Sequence, residues 1–572
     1  MRWAWTARLW QDMRWRSVLL RYGIFVLVWF AYVILASAVS LAFEWTQIIT
    51  ELPLLLLLYA ALQAPLRKNA LRGPAAALPL LWMYLVHDIA LGLLGTVLCF
   101  FDFAVLPDLF RSLSPLLLGL AYLALALPPA LWLLCVDWKG RALSWRSLPA
   151  PLLLSGWLAL IFGFPGVSYE TMNALTPDEE WSDRLTAEHW GRLYTVFMRD
   201  ARRLAFLEEL DQAPTLEETG MRIDDGLLAG VRPRNVHLIV LESFLDVREL
   251  SKARFDRSPL DPEFDAWVRD QAGLSRSPCF GGETARAEFE LLCGVPSLRL
   301  YGIEFLAFGG APAPCLPNLL RRAGYQTVLT FPGGPVYANS RLAYPGLGFE
   351  RRIFGEPFAA PGAPFIRLDA DDVNLFDADL YAQNLETVRR QLSEGKPFFN
   401  YVLTLYGHWP FHIDTRRFPE SVQIEPPFEE VQRIATQMRY RTQALYEYLK
   451  KLVEVDPTAL VVVVGDHLPP LPEGEADYRR LGYLEENELA RASPTDRHHL
   501  TFLLVLDAGR IVPRPWLRHF DVMHWVLDRL TDGEYCRRKP ALCRFGESPL
   551  EAVWRERYRA VLAQAARAES PR

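Results

Sequence analysis

The sequence predicts an α-helical membrane domain of five spans, followed by an α/β catalytic domain with a doubly wound sheet. The chain has 572 residues, 51% of them hydrophobic, and a mean hydropathy of +0.06. This mean hides two unlike parts, because apolar runs dominate only before about residue 166. After residue 236, short β-branched runs alternate with helix-like segments. We therefore expect a membrane domain at 1–165, a helical connector near the membrane surface at 166–230 and an exported domain at 231–572.

Composition excludes two broad classes of protein. There are 61 Lys and Arg residues against 67 Asp and Glu, which gives a formal charge of −6. A protein that coats nucleic acid would carry a basic excess, and a disordered chain would lack so much apolar surface. We therefore expect no nucleic-acid partner.

Five apolar stretches approach the ~20 residues that a helix needs to cross the hydrocarbon core of a bilayer. They are Tyr22–Phe43, Leu52–Leu66, Ala75–Phe101, Leu116–Val136 and Leu148–Phe164. The second is short unless it begins near Ile48. The first is followed at once by further apolar stretches, so we interpret it as a retained anchor and not as a signal peptide. Buried core helices of a soluble protein are the alternative, but they would need packing partners that the rest of the chain does not offer.

The charges of the short loops predict the orientation, since Lys and Arg remain on the cytoplasmic side. Basic residues precede the first stretch and follow the second and the fourth: Arg2, Arg8, Arg14, Arg16, Arg21, Arg67, Lys68, Arg72, Lys139, Arg141 and Arg146. The alternate loops are mostly acidic: Glu44, Glu51, Asp102 and Asp108, with Arg111 alone. The N-terminus is therefore predicted inside, and an odd number of spans then places residues 166–572 outside.

The exported part alternates predicted strands and helices. The strands are 236–242, 325–331, 398–405, 459–466 and 501–506, and the helix-like segments include FDAWVRDQ, ARAEFELLCG, LPNLLRRAG, DLYAQNLETVRRQLSEG and 429–453. This alternation indicates a mostly parallel sheet that is covered on both faces. In such sheets, ligands bind at the carboxyl ends of the strands.

Two of these strand ends carry candidate metal ligands. One strand ends at Glu242 and another at Asp466 and His467. Carboxylate oxygens and an imidazole nitrogen suit Mn²⁺, Zn²⁺ or Mg²⁺. Gly281, Gly282 and Glu283 precede Thr284 at a predicted helix start, where backbone N–H groups favour an anion. Thr284 is thus placed to attack phosphorus, although each residue alone could be an ordinary helix cap or strand-end acid.

The cysteines indicate an oxidising compartment for the exported part. Cys99 and Cys135 lie in predicted spans, and the other five of the seven are exported, so at most two disulfides can form. Cys536 and Cys543, which are seven residues apart, are a candidate local pair. The sequence has no Cys-x-x-Cys spacing, which argues against a zinc ribbon or a thioredoxin-type motif.

The order of motifs resembles a known family. Leu-Glu-Ser at Glu242 is followed by Gly-Gly-x-Thr-x-x-x-Glu-Phe-Glu-x-Leu-x-Gly from Gly281 to Gly294, by Tyr-Gly-His-x-Pro-Phe from Tyr406 to Phe411 and by Gly-Asp-His from Gly465 to His467. Over about residues 231–530, this order resembles the lipoteichoic-acid-synthase branch of the alkaline phosphatase and sulfatase superfamily. Five spans before an exported catalytic domain also match that branch. The Cys-x-Pro-Ser-Arg sequence of true sulfatases is absent, which disfavours sulfate ester hydrolysis.

The resemblance also implies roles for individual residues. It implies that one divalent metal ion is held by Glu242, Thr284, Asp466 and His467, and that Thr284 is also the nucleophile. His408 would lie near the transferred phosphate, and Tyr337 and Arg341 would bind the head group. His498 or His499 would be a further metal ligand, a phosphate contact or a structural residue. Similarity to cellulose phosphoethanolamine transferases implies a Cys293–Cys315 disulfide, with Cys279 left as a free thiol.

The function implied is transfer of a phosphoglycerol or phosphoethanolamine group from a membrane phospholipid to an exported glycan through a phospho-threonine intermediate. A polysaccharide-synthase complex could surround such an enzyme. Its location would be the bacterial inner membrane, with several spans and a periplasmic or extracellular catalytic domain. Two alternatives stay open: a phosphodiesterase or sulfatase-like hydrolase with the same site, and an inactive module that binds glycan or regulates a synthase.

Overall fold

A computed structural model of the chain describes most of its residues. They are 13–37, 43–94, 97–100, 115–140, 145–177, 183–298, 303–335, 337–369, 373–419, 421–485, 497–546 and 551–567. The chain forms two compact units. The first comprises Met1–Glu209 with Arg299–Tyr301, and the second comprises Leu210–Leu298 with Gly302–Arg572. The domain boundaries at residues 165 and 230 remain predictions.

The first unit is helical. Its helices are α1 (Met13–Ser37), α2 (Gln47–Gln63), α3 (Arg72–Leu94), α4 (Pro115–Cys135), α5 (Pro149–Gly163), α6 (Pro165–Leu175), α7 (Asp183–Trp190) and α8 (Arg192–Asp211). A helix lies in each of the five predicted apolar stretches. The third helix ends at Leu94, before the predicted end at Phe101, and Phe101 itself lies outside the described residues.

Length and composition allow fewer than five spans in the part of the chain that the structure describes. Two helices qualify, Leu19–Ser37 and Arg72–Leu91, while α2 and Tyr122–Cys135 are apolar but shorter. The pair α5 and α6, bent by 107°, makes a third span if it is counted as one. Five spans therefore remain a prediction. Of the loop charges behind the predicted orientation, Arg2, Arg8, Asp102, Asp108, Arg111 and Arg141 lie outside the described residues.

Polar side chains of α2 bind the backbone where α7 meets α8. The carboxylate of Glu51 accepts hydrogen bonds from the N–H groups of Leu193 (2.9 Å) and Tyr194 (2.8 Å). It thereby satisfies donors that the first turn of a helix leaves free. Gly191 permits the Glu51 side chain to approach the backbone this closely, since a Cβ atom at residue 191 would lie 2.5 Å from Glu51. In α3, Asp88 accepts a 2.6 Å hydrogen bond from the buried Arg192.

The second unit contains a nine-stranded sheet. The strands are β1 (Val236–Leu241), β3 (Gly273–Arg276), β4 (Gln326–Thr330), β5 (Arg351–Ile353), β6 (Phe398–Leu403), β8 (Leu460–Gly465), β9 (Leu500–Asp507), β10 (Arg510–Ile511) and β11 (Trp516–Arg518); β2 (Arg254–Phe255) and β7 (Ile424–Glu425) form a separate pair. The order is β11-β3-β9-β8-β1-β6-β4-β5, with β10 beside β9. The pairs β8–β1, β1–β6, β6–β4 and β4–β5 are parallel, so the predicted α/β sheet is confirmed at its centre.

Helices flank this sheet as the alternating pattern predicts. They are α9 (Asp225–Leu228), α10 (Pro262–Val268), α11 (Thr284–Cys293), α12 (Leu316–Arg322), α13 (Ser340–Leu347), α14 (Asp377–Ser393), α15 (Glu429–Val455), α16 (Glu475–Arg480), α17 (Asp521–Leu530), α18 (Glu534–Arg538) and α19 (Glu551–Ala565). All residues of β1, β6 and β8 are buried. Continuous burial explains their unbroken apolar sequences, because a central parallel strand exposes neither face to water.

Strand β9 is antiparallel to its neighbours, and its direction determines which segments lie at the edge where the central parallel strands end. It is antiparallel to β8 and to β3, so β3 runs in the same direction as β8. Consequently the end of β3 and the start of β9 both lie at the edge where β1 and β8 end. The sequence between β3 and α11, which contains Thr284, begins at this edge.

Candidate active site

The site begins with the residues that follow two adjacent parallel strands. Glu242 follows β1 and Asp466 follows β8, and the two strands pair up to Leu241 and Gly465. Both carboxyl groups are buried. Oδ1 of Asp466 accepts from the N–H groups of Ser243 (2.8 Å) and His467 (2.6 Å). These bonds hold the two strand ends together and fix the direction of the Asp466 side chain.

Glu242, Asp466, His467 and Thr284 lie together. One ligand atom from each of the first three falls within 4.8 Å of the others. Oγ1 of Thr284 lies 3.2 Å from Oε2 of Glu242 and 3.3 Å from Nε2 of His467. All four predicted metal ligands therefore share one site. Residues separated by 42 and by 183 positions meet there because β1, β8 and the start of α11 lie at the same edge of the sheet.

The donors at this site fit a cation. Nδ1 of His467 lies 2.9 Å from the carbonyl of Leu468, so in the neutral ring Nδ1 carries the proton and Nε2 presents its lone pair. This lone pair lies 3.3 Å from Oδ2 of Asp466 and 3.8 Å from Oε1 of Glu242. No described residue donates a hydrogen bond to the buried Oδ2 of Asp466. A divalent metal ion requires several lone pairs that point to one position with no hydrogen-bond donor between them, and these side chains provide that arrangement.

The electrostatics of the site show an excess of negative charge. Burial and the nearby charge of Glu242 raise the pKa of Asp466 above its usual value. Burial lowers the pKa of His467, but the charges of Asp466 and Glu242 outweigh this and leave it above its usual value. The buried carboxylates therefore favour a positive partner, which a bound divalent cation would supply.

The loop before Thr284 has an unusual backbone. Gly281 and Gly282 have φ angles of +72° and +155°, and Glu283 has +66°. Glycine adopts such angles without a steric penalty, whereas Glu283 adopts one at some cost. Thr284 is then the first residue of α11, and the N–H groups of the first helical turn lie beside it. An anion bound at Thr284 would meet these dipoles.

A second group of residues supports Asp466 from behind. Ser277 donates a 2.5 Å hydrogen bond to the carbonyl of Asp466, and Nε2 of His519 lies 3.1 Å from the carbonyl of Gly465. Burial lowers the pKa of His519 to about 3, so its ring is neutral. Sequence reasoning missed both residues. Ser277 follows a strand too short and polar to recognise, and His519 is only a lone histidine far along the chain.

Glu288 is a buried acid one turn after Thr284. Its Oε1 accepts from the hydroxyls of Tyr401 (2.7 Å) and Tyr344 (3.2 Å). Burial raises the pKa of Glu288 to about 8, and the charges of Asp466 and Glu242 add to this shift. The first Glu of the Glu-Phe-Glu motif therefore lies within electrostatic range of the strand-end acids.

His408 belongs to the loop after β6, and this loop packs against Glu242. A Cβ atom at Gly407 would lie 2.3 Å from the Glu242 carbonyl, so only glycine permits this approach. The neighbouring His408 ring places Nδ1 2.7 Å from the carbonyl of Trp409. This contact leaves Nε2 as the ring nitrogen of His408 that can exchange a proton. Trp409 itself is exposed.

The predicted head-group residues lie on a short segment after β4. About half of the Tyr337 side chain is exposed, and partial burial together with the charges of Glu242 and Glu283 raises the pKa of its hydroxyl. Tyr337 is therefore close enough to the site to sense its charges. Arg341 lies on α13 and is exposed. The roles of both residues remain predictions.

His498 and His499 precede β9. His498 is buried, with Nε2 3.5 Å from Oε2 of Glu475 and its ring 5.5 Å from that of Phe280. Phe280 belongs to the loop that leads to Thr284. Because β9 is antiparallel to β8, both histidines lie near the same edge as the four clustered residues.

Two disulfides join parts of this unit. Cys293 is bonded to Cys315 and Cys536 to Cys543. Cys293 ends α11 and Cys315 immediately precedes α12, so the first bond joins these two helices. Cys279 is not disulfide-bonded, and its buried Sγ lies 3.4 Å from the carbonyl of Glu283.

Comparisons with known proteins point to one family. The family model described as Sulfatase matches residues 234–527. The chain is 29% identical over 283 residues to a Rhizobium meliloti protein described as a cyclic beta-1,2-glucan modification protein, covering 47% of this chain and 41% of that one. It is 22% identical over 253 residues to the lipoteichoic acid synthase of Staphylococcus saprophyticus, covering 41% and 36%. The chain thus spans less than half the length of these curated relatives.

Solved structures show the same similarity at low identity. One is a Streptococcus pyogenes phosphoglycerol transferase in complex with sn-glycerol-1-phosphate, with 18% identity, a TM-score of 0.46 and coverage of 64% of this chain and 91% of that one. Another is a lipoteichoic acid synthase of Listeria monocytogenes, with 21% identity, a TM-score of 0.42 and coverage of 55% and 77%.

Proposed function

Because the chain belongs to the sulfatase family of the alkaline phosphatase superfamily, we propose that it transfers a phosphoglycerol or phosphoethanolamine group from a membrane phospholipid to an exported glycan. The observation that carries this proposal is the meeting of Thr284 with Glu242, Asp466 and His467. A hydroxyl at a helix start beside three metal-ligand side chains is suited to attack on a phosphodiester. Similarity to a cyclic beta-1,2-glucan modification protein and to a lipoteichoic acid synthase supports the same class of reaction.

We expect Glu242, Asp466, His467 and Thr284 to hold one divalent ion, Mn²⁺, Zn²⁺ or Mg²⁺. Such an ion supplies Lewis-acid polarisation of a phosphoryl oxygen when it is bound. The remaining steps are assigned to the side chains of this protein. The N–H groups at the start of α11 bind the anionic phosphate and orient it toward Thr284.

The transfer proceeds in two displacements. Oγ1 of Thr284 attacks phosphorus, and its proton passes to Oε2 of Glu242, which accepts the Thr284 hydrogen bond. The bond from phosphorus to the diacylglycerol oxygen breaks, and the protonated ring of His408 donates a proton to that leaving oxygen. A sugar hydroxyl then attacks phosphorus and loses its proton to the neutral ring of His408, while Thr284 leaves and regains its proton from Glu242. One acid–base residue can serve both steps because the second displacement reverses the proton transfer of the first.

Location and partners follow from the substrate. A phospholipid donor lies at a membrane surface, so apolar helices in the first unit would hold the enzyme beside its donor. We propose a multi-pass location in the bacterial inner membrane with the second unit outside the cytoplasm. The glycan acceptor and an association with a polysaccharide synthase belong to the same proposal.

The decisive experiment measures the mass added to the peptide that contains Thr284. Full-length protein in detergent is incubated with Mn²⁺ and either phosphatidylglycerol or phosphatidylethanolamine, without glycan. We expect a phosphoglycerol or a phosphoethanolamine adduct, which differ in mass and therefore identify the donor. Thr284→Ala should carry no adduct, whereas the exposed Thr458→Ala should behave as the wild type.

Two other results would change the proposal. Diacylglycerol release without any adduct on Thr284 would contradict the covalent mechanism and favour a water nucleophile. An adduct whose turnover is unaffected by added glycan would favour the hydrolase, because water would then be the acceptor.

A further inference from the structure

The long helix α15 presents two polar side chains to the back of the candidate site. Arg441 and Gln437 are buried and lie four residues apart, so they occupy the same face of the helix. Polar groups buried in a helix that otherwise packs an apolar face carry a desolvation cost. The hydrogen-bond partners of Arg441 and Gln437 therefore indicate which parts of the chain these side chains position.

Arg441 joins two parts of the chain through one guanidinium group. Its Nε donates a 2.8 Å hydrogen bond to Oδ2 of Asp377, the first residue of α14. Its Nη2 donates a 2.7 Å hydrogen bond to the main-chain carbonyl of Glu242. The guanidinium also lies 5.5 Å from the ring centroid of Phe244. The planar fork thus fixes the backbone at the residue whose side chain faces Thr284.

The same two side chains contact the loop that contains His408. A Cβ atom at Gly407 would lie 2.2 Å from Nη1 of Arg441, so the loop backbone packs directly on the guanidinium. Nε2 of Gln437 donates 3.0 Å hydrogen bonds to the carbonyls of Tyr406 and His412. The loop is therefore bound on both sides of His408 by one face of α15.

We infer that Arg441, held by Asp377, is a positioning residue that fixes the distance between Glu242 and the His408 loop. This inference rests on the proposed function, in which Glu242 holds the metal ion and His408 transfers the proton. Arg441 itself touches neither the reacting atoms nor the metal ligand atoms. It acts on the Glu242 main chain, and the hydrogen bonds that orient metal ligands affect metal affinity as well as turnover.

The ion pair between Arg441 and Asp377 can be removed by substituting both residues, so that no unpaired buried charge is left. Removing one partner of a buried ion pair is strongly destabilising, whereas replacing both partners by neutral groups is often tolerated. The double variant Arg441→Met with Asp377→Asn keeps the approximate volumes and removes both charges. Arg441→Lys keeps the positive charge but loses the planar fork that reaches two acceptors at once.

The test combines hydrogen exchange with metal binding in full-length protein in detergent. Without metal, we expect backbone exchange over residues 404–412 to accelerate at least tenfold in the double variant and in Arg441→Lys, while exchange in β8 stays unchanged. With Mn²⁺, we expect binding to weaken about 10- to 100-fold. Arg433→Met, on the exposed face of the same helix where Arg433 pairs with Glu429, is the matched control and should change neither quantity.

The outcomes separate this inference from the proposed function. If the folded double variant keeps wild-type exchange over residues 404–412, Arg441 does not position the loop and the inference is overturned. If the wild type does not bind Mn²⁺, Mg²⁺ or Zn²⁺, the proposed metal chemistry fails, and the exchange measurement still decides whether Arg441 positions the loop.

Discussion

A buried carboxylate oxygen without a hydrogen-bond donor is costly, and Oδ2 of Asp466 is such an oxygen. The neutral ring of His467 does not relieve this cost, since its Nε2 and the carboxylate of Glu242 also present electron pairs. Thr284 brings one hydroxyl hydrogen, which cannot serve all three groups. The local chemistry thus accounts for a stable site only when a positive charge is added, either a proton on His467 or a bound cation.

The metal and nucleophile roles can be separated by substitution. Thr284→Ala should abolish adduct formation and transfer but keep most Mn²⁺ binding, because three ligands remain. Glu242→Ala or Asp466→Ala should lose metal and activity together, since each removes a charged ligand. His408→Ala should bind Mn²⁺ normally and slow turnover by ~10²-fold or more. Isothermal titration calorimetry and an adduct assay measure both properties, with the exposed Glu386→Ala as a control.

A different result at Thr284 would overturn the assignment. Normal turnover of a phospholipid by Thr284→Ala would show that this hydroxyl is not the nucleophile. Loss of all Mn²⁺ binding in the same variant would instead make Thr284 an indispensable ligand.

Glu288 gives a prediction about pH. Its pKa is raised from 4.5 to about 8 by burial and neighbouring charges, so the folded chain keeps a proton that the unfolded chain releases. The stabilisation is complete below about pH 4.5 and is lost as the pH rises through about 8. Glu288→Gln resembles the protonated acid and should remove this pH dependence.

We therefore expect Glu288→Gln to be as stable as the wild type near pH 5 and more stable near pH 9, by up to about 5 kcal/mol. Thermal unfolding in detergent with a chelator, followed by tryptophan fluorescence from pH 5 to 9, measures this difference. The exposed Glu386→Gln should follow the wild type at every pH. Parallel curves for Glu288→Gln and the wild type would mean that Glu288 is ionised in the folded chain.

At the level of elements, the sequence predicts most of what forms the site. The apolar runs of β1 and β8 identify Glu242 and Asp466 by position, because parallel strands end at a common edge. The sequence could not predict β3, a strand of four residues with Arg276 at its end and no apolar run. It also could not predict that β9 is antiparallel, since strand direction depends on pairing and connection and not on the apolar pattern alone.

Long-range contacts limit prediction of the site in the same way. Arg441 lies within a helix whose amphipathic pattern is evident, yet nothing in that pattern indicates a contact with the carbonyl of Glu242, 199 residues away. The glycines before a predicted helix start indicated Thr284, and the resemblance to a known family supplied His408 through its motif. It gave no signal for the Ser277 and His519 contacts behind Asp466.

The Cys293–Cys315 disulfide should stabilise the start of α12 and the end of α11. A bond that closes a separation of 22 residues contributes about 3 kcal/mol by limiting the unfolded chain, against about 2 kcal/mol for the separation of 7 between Cys536 and Cys543. We expect Cys293→Ala with Cys315→Ala to lower Tm more than Cys536→Ala with Cys543→Ala. Thermal unfolding of both double variants measures this.

Non-reducing digestion provides the control for that prediction. Both disulfide-linked peptides should appear in the wild type, and Cys279 should be alkylated only after denaturation because it is buried. A peptide that links Cys279 to another cysteine would show a different pairing.

For the whole molecule, the number of spans decides on which side of the membrane the candidate site lies. Five spans, or three with α5 and α6 counted as one, would place the second unit opposite the N-terminus. Two spans would place it on the same side. Enzymatic reporters fused after Glu44, Arg72, Lys139 and Pro165 distinguish these arrangements, because one apolar helix precedes Glu44, a second precedes Arg72, two more precede Lys139 and a fifth precedes Pro165.

We expect reporter activity outside the cytoplasm after Glu44 and Pro165, and inside after Arg72 and Lys139, as the basic loops predict. The fusion after Arg72 is the most informative. If α2 does not cross the membrane, this fusion should report the outer side, and five spans would be wrong. The fusion after Pro165 tests the proposed function, because a reporter active only in the cytoplasm would separate Thr284 from an exported glycan.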